Sequence, residues 1–264
     1  MIKYSIIIPV YNEIDVIQNC LESLKKQTVA SDMEIIVVDD GSTDGSEKFA
    51  TYKQKHQGPG AARNLGASHS KGKALVFVDA DMEFAPDFIE KLCKPIKDDV
   101  IGTFSKDEYL LNKDKPIARY WNMNLGRNPE KMHPENYPDE QNVFRAILKS
   151  EFEKVGGFDE NVGYTDDWSL SRKLNMMAVA APNAVFYHNN PETYQEVWKQ
   201  ARWFGKNEFL TRNLVRKVYN LVRYCPLLAI TKISDFGFFK FKLVFNTAVF
   251  TSVILSFFNE PKSK

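Results

Sequence analysis

Short apolar runs alternate with amphipathic stretches over the first hundred residues. Ser5 to Val10 is β-branched and predicts a buried first strand, and Glu13 to Lys26 then carries Ile14, Ile17, Leu21 and Leu24 at helical spacing. Glu34 to Val38 ("EIIVV") predicts a second buried strand. It runs into "DDGSTDGS", a cluster of turn and helix-capping residues, and a helix is expected from there to about Lys55. "GPGAARNLGASHS" reads as a loop opening into a helix, and Ala74 to Val78 as a third strand with "DADM" at its carboxyl end. This alternation predicts right-handed βαβ units and a parallel sheet. Such sheets bind ligands at the carboxyl ends of their strands, where the carboxylates of this stretch fall.

Residues 98–142 are less regular, and "VFRAILKSEFEKVGGFDE" then predicts a short strand and a helix stopped by Gly-Gly. From about Pro191 the pattern changes to basic, amphipathic helix. The expected division is therefore an α/β domain over 1–190 and a helical region over 191–264. With 44% apolar and 26% charged residues, the 264-residue chain is globular rather than disordered or fibrous. Its net charge of +1 conceals an asymmetry, −6 over 1–189 and +7 over 190–264, which suggests two jobs. Three widely spaced cysteines (Cys20, Cys93, Cys225) make no closed disulfide framework and suit a reducing cytosol. The opening apolar run is too short and too interrupted for a secretory signal.

The carboxylates carry the chemistry. Asp79 and Asp81 stand two apart after a hydrophobic strand, so extended geometry would send both side chains the same way. Such a pair suits Mg²⁺ or Mn²⁺ holding a diphosphate; a lone DxD is a weak motif, and its place in the βαβ pattern strengthens it. Asp39 and Asp40 end the second strand, where a carboxylate can accept from a base N–H or a ribose hydroxyl; Asp44 can cap a helix in the same segment. Asp166 and Asp167, beside Tyr164 and Trp168, open another helix. Apolar neighbours can raise a carboxyl pKa towards general-base duty, although an acid at a helix start is also a routine dipole partner. His188 follows a strand-like run and is a candidate metal or phosphate contact. Gly58 and Gly60 do not follow a buried strand, which excludes a dinucleotide fingerprint; Arg63, near a helix start, is placed to meet a phosphate or nucleoside.

Six segments, "SIIIPVYNE", "IIVVDDGSTDGS", "GPGAARNLGA", "VFVDADM", "VGGFDE" and "TDDWSLSRKL", resemble in order and rough spacing those of the inverting glycosyltransferases of family 2. The resemblance covers about residues 3–190 and implies a GT-A fold, an α/β architecture around a mostly parallel sheet, here with a C-terminal helical extension. It implies that Pro9, Tyr11 and Glu13 floor a nucleoside pocket, that Asp39 recognises the base, and that Arg63 touches the donor. Asp79 and Asp81 would be the DxD pair, with Asp79 near ribose and metal and Asp81 a direct ligand. Asp167 would be the catalytic base, and Asp166 stands where the family has Glu, which leaves open which of the two reaches the acceptor. "KQARW" is similar to the QxxRW signature of processive members, but Lys199 replaces its Gln. The expected activity is metal-dependent inverting transfer from a nucleotide-sugar, UDP-sugar by default, to an acceptor hydroxyl. A sugar nucleotidyltransferase would want a Gly-rich basic loop after the first strand, which "PVYNE" is not; a catalytically inactive scaffold is the other alternative.

Between Lys199 and Lys242 ten Lys and Arg accompany only Glu208 and Asp235, and the Phe-rich stretch 236–258 follows. Basic amphipathic helix beside such a run suits an anionic membrane surface. The unbroken apolar stretch after Lys242 is shorter than the roughly 20 residues of a simple span. In-plane or shallow insertion at the cytoplasmic face, with a glycan or lipid-linked acceptor, is therefore expected over crossing. No nucleic-acid-binding module is recognisable.

Overall fold

The first apolar run forms strand β1 (Tyr4–Val10), whose Ile6, Ile7 and Ile8 have no solvent exposure. The computed structural model describes residues 2–97, 99–160, 168–206 and 213–258. The chain divides into two units, Met1–Tyr109 with His133–His188 and Leu110–Met132 with Asn189–Lys264.

In the first unit β1 is followed by α1 (Ile17–Lys25), β2 (Met33–Asp39), β3 (Tyr52–Lys53), α2 (Pro59–Ser68), β4 (Ala74–Phe77), β5 (Met82–Phe84), α3 (Phe88–Cys93), β6 (Gly102–Phe104) and β7 (Glu108–Leu110). Helix α4 (Pro116–Asn124) belongs to the second unit. The first unit resumes with β8 (Glu140–Gln141), β9 (Ala146–Leu148), α5 (Lys149–Lys154), α6 (Ser169–Leu174), β10 (Ala178–Ala180) and β11 (Phe186–His188). Eight strands form one sheet in the order β3-β2-β1-β4-β9-β6-β10-β8, and β5-β11-β7 form a smaller one. β1 pairs parallel to both β2 and β4, whereas β9 runs antiparallel between β4 and β6. The sheet is mostly parallel, as the alternation of elements predicts.

Two local departures have plain causes. Helix α1 starts at Ile17 rather than Glu13, because the Val16 N–H closes a tight turn on the Glu13 carbonyl (3.2 Å), while the Glu13 and Ile14 N–H groups donate to Ser46 Oγ (2.9 Å) and Asp44 Oδ2 (3.0 Å). The helix expected to about Lys55 is only a 3-10 turn, Ser46–Phe49. Beyond it Thr51 and Gln54 donate to the Val37 and Asp39 carbonyls, so sheet pairing takes the segment as edge strand β3. Helix α2 lies close on β1 because Gly66 lacks a side chain: a Cβ there would stand 2.6 Å from Ile7 Cγ2.

The second unit joins α4 to α7 (Tyr194–Lys206), α8 (Leu214–Arg223), a 3-10 segment (Pro226–Lys232) and α9 (Phe236–Leu255). Helix α9 is long and apolar enough to cross a membrane by length and composition. Yet Phe238, Phe241, Phe245, Ala248, Val249 and Val253 are buried with Trp121, Val197 and Ala201, so one side of the Phe-rich run is this unit's own core.

Candidate functional site

The loops leaving β1 and β2 are laced together by side chains. Asn12, in a left-handed conformation (φ 59°), accepts from the Thr43 N–H at 2.8 Å, and its own N–H donates to Ser42 Oγ at 3.0 Å. Asp39, at the end of β2, is buried and turns its carboxylate back to the Gly41 and Ser42 N–H groups at 3.3 Å. Asp40 organises the next loop, accepting from Gln54 Nε2 (2.7 Å) and from the Gln57 (2.8 Å) and Gly58 (2.9 Å) N–H groups. Its Oδ2 also lies 2.8 Å from His56 Nδ1, and the His56 ring stacks on Tyr11 with centroids 4.1 Å apart. Tyr11 is thereby held as an exposed aromatic platform beyond β1, and Pro9, within β1, is half-buried.

Beyond β4 the chain turns rather than continuing extended: the Met82 N–H donates to the Asp79 carbonyl at 3.3 Å. The two DxD carboxylates consequently take different partners instead of projecting together. Asp79 accepts from Arg63 Nη2 (2.9 Å) and Arg145 Nη1 (3.1 Å). Burial alone would push its carboxyl up; Arg145 and then Arg63 outweigh that and hold it well below the usual carboxylate range. Asp81 Oδ2 meets His188 Nε2 at 2.8 Å.

Behind His188 stands Glu108, 3.3 Å from its Nδ1, and the other Glu108 oxygen lies 3.0 Å from His133 Nε2. Burial favours a neutral ring, but hydrogen bonds to Asp81 and Glu108 prevail and raise His188 to about 10. Glu108 goes the opposite way: burial is outweighed by His133 and His188, and its carboxyl falls to about 2. Glu13 is raised to about 7, first by burial and then by the nearby charges of Asp81, Asp44 and Asp79. That coupling puts Glu13 in the same acidic locale as Asp79 and Asp81.

Of the sequence candidates, Pro9, Tyr11, Glu13, Asp39, Arg63, Asp79, Asp81 and His188 thus stand in one unit, at or beside the carboxyl ends of β1, β2 and β4. Asp166 and Asp167 lie outside the described residues. Arg145, Glu108, His133, His56 and Asp40's loop contacts were not foreseen. Arg145 is brought to Asp79 by the antiparallel pairing of β9 on β4, which no local pattern announces.

Among the described residues, no three His, Cys, Asp or Glu side chains form a ready cage for a metal ion. Asp81 and His188 nevertheless have the right chemistry for two ligands of one hard cation that takes its remaining ligands from water and phosphate. A carboxylate behind the far nitrogen, as Glu108 is, orients a metal-binding histidine.

The mostly parallel sheet with acidic loops at its strand ends agrees with a GT-A glycosyltransferase fold, which solved glycosyltransferases share with this chain. The chain belongs to glycosyl transferase family 2, whose model matches residues 5–156. It is 30% identical over 174 residues to glycosyltransferase AglE of Haloferax volcanii, covering 60% of this chain and 56% of that one. Bacterial relatives at 36% and 42% identity match over only 30% and 29% of their own lengths, so the chain spans under a third of them. The solved mannosyltransferase PcManGT of Pyrobaculum calidifontis, in complex with GDP-Man and Mn²⁺, shares the fold at TM-score 0.56 and 19% identity, over 96% of this chain and 73% of that one. Staphylococcus aureus TarS 1–349 in complex with UDP-GlcNAc does so at TM-score 0.52 and 18% identity, over 76% and 66%.

Proposed function

We propose that this glycosyltransferase moves a hexosyl group from a nucleotide-sugar to an acceptor hydroxyl by a single inverting displacement. The observation that carries this most directly is the gathering of Glu13, Asp39, Asp79, Asp81 and His188 at the strand ends, with Arg63 and Arg145 fixing Asp79. Tyr11, Pro9 and Asp39 receive the nucleoside, Asp39 offering its carboxylate to the base. Arg63 and Asp79 line the donor site beside it. Asp81 and His188 would hold Mn²⁺ or Mg²⁺, with Glu108 steadying the imidazole and Asp79 as the further acid of the motif. A cation held there would supply positive charge to offset that of the departing nucleoside diphosphate. Asp167 removes the acceptor proton, with Asp166 its neighbour in the pair. UDP-sugar is the favoured donor; the fold relatives are seen with both UDP-GlcNAc and GDP-Man, so both nucleotides belong in the test.

Residues 1–190 act as the catalytic domain. The basic region 191–264 places the protein at the cytoplasmic face of a membrane, where a lipid-linked or membrane-proximal glycan is the acceptor. Assaying a panel of UDP- and GDP-sugars for hydrolysis and transfer, with Mn²⁺ and with EDTA, tests the assignment. Metal-stimulated release of one nucleoside diphosphate is the expected result, and release from none of the panel refutes it.

A further inference from the structure

Helix α8 carries its apolar face on the outside. Leu214, Val215, Val218, Tyr219 and Val222 fall within an arc of about 140° at 100° per residue. Their exposure runs from 50% at Val218 to 79% at Val215. Leu221, at the edge of this arc, and Lys217, beyond it, face the unit's interior: Leu221 packs on its core, and Lys217 is buried with Nζ donating to the Ser256 carbonyl at 2.8 Å. A helix that only covered a core would show the reverse arrangement. The 3-10 segment, the turn after it and the first residue of α9 add Leu227, Ile230, Ile233 and Phe236, each more than half exposed.

Charge identifies what covers this face. Arg216 and Arg223 border the apolar arc of α8, and both are exposed, as are Lys232 and Lys240 further along. Residues 213–258 hold six Lys and Arg and one acid, Asp235, whose carboxylate caps α9 by accepting from the Phe238 N–H at 3.0 Å. A second copy docked face to face would set these cations against their own equivalents. An anionic lipid surface takes both components: headgroups pair with the cations while the apolar side chains enter the acyl boundary.

We propose that the outward face of α8, continued by Pro226–Lys232 and Phe236, is the surface by which this chain docks flat on an anionic bilayer. The docking face rests on the membrane-proximal placement proposed above and assigns it to α8 rather than to the Phe-rich body of α9 beyond Phe236.

Flotation of the full chain with equimolar phosphatidylcholine–phosphatidylglycerol vesicles, and with phosphatidylcholine alone, provides the test. Wild type should float with the anionic vesicles and far less with neutral ones. Val215→Asp with Val222→Asp should lower that binding at least tenfold, whereas Met177→Asp, an exposed apolar site of the first unit, should not. Arg216→Ala with Arg223→Ala should lower it roughly twenty-fivefold, at about fivefold per cation, and flatten its salt dependence. Donor hydrolysis should persist in every variant. Wild type that ignores anionic vesicles, or a valine pair that floats undiminished, overturns the docking face. So does a valine pair that converts a dimer to monomer in sedimentation velocity without vesicle binding, which makes the partner a second copy. Flotation without hydrolysis in wild type leaves the docking face standing and removes the transferase assignment instead.

Discussion

His188 Nε2 lies 2.8 Å from Asp81 Oδ2 although 107 residues separate them in the chain. The antiparallel pairing of β11 with β5 sets His188 opposite Met82, the residue after Asp81, so the contact follows from strand register. A histidine and a carboxylate meeting in this way can open around a cation by giving up one proton.

The first prediction follows from that pair. EDTA should abolish transfer and Mn²⁺ restore it, and Asp81→Ala should lose Mn²⁺ binding by electron paramagnetic resonance while its circular dichroism stays native. Glu108→Gln leaves both ligands in place but loosens His188, so Mn²⁺ affinity should fall about 10–100-fold. Full activity in EDTA removes the cation from the mechanism.

Replacing the base should separate chemistry from binding. Asp167→Asn keeps size but takes no proton, and turnover should fall roughly 10²–10⁴-fold with donor Kd little changed. If Asp166→Asn is the crippling substitution and Asp167→Asn is mild, the two roles are exchanged.

Glu13 sets a pH signature. Its carboxyl is raised to about 7 in the fold, against an ordinary glutamate value of 4.5. Between these values the folded state holds more protons, so the stability contributed is complete below about 4.5 and is lost as pH rises through about 7. In metal-free protein Glu13→Gln should flatten the fall in Tm over that window, by about 2–4 °C per kcal/mol recovered. A wild-type and variant Tm difference that is constant from pH 5 to 8 contradicts this.

Arg145 should matter in the opposite pH direction. The Asp79 carboxyl is held low by Arg145 and Arg63, so its contribution is present above the unfolded pKa and lost as pH falls through the lower folded value. Arg145→Ala should lower the unfolding midpoint at pH 7, and the gap to wild type should narrow as pH drops below about 4. A gap that widens in acid means Arg145 acts elsewhere.

Much of this site is legible along the chain because its parts are local. Short β-branched runs bounded by turn residues read as buried strands, and carboxylates directly after them then emerge at the strand ends. Glycine and small polar residues mark the turns, and the segments around them carry the family resemblance. What local pattern missed was decided by partners distant in sequence. Residues 46–55 had helical promise, but the open edge of β2 offered backbone hydrogen bonds to Thr51 and Gln54.

By itself, then, the sequence determined the α/β class, the strand ends and the acids placed on them, since apolar periodicity and turn chemistry act within a few residues. Only the tertiary structure decided that Asp79 faces two guanidiniums and Asp81 a histidine. The turn after β4, the pairing of β9 on β4 and the pairing of β11 on β5 set those partners. It likewise decided which apolar helix in the basic region is core and which faces outward. Both α8 and α9 are rich in apolar residues, and only packing shows that α9 lies against Trp121 and Val197 while α8 leaves Val215 and Val222 in solvent. Periodicity fixes which residues share a face; the direction that face points depends on what the rest of the chain places beside it.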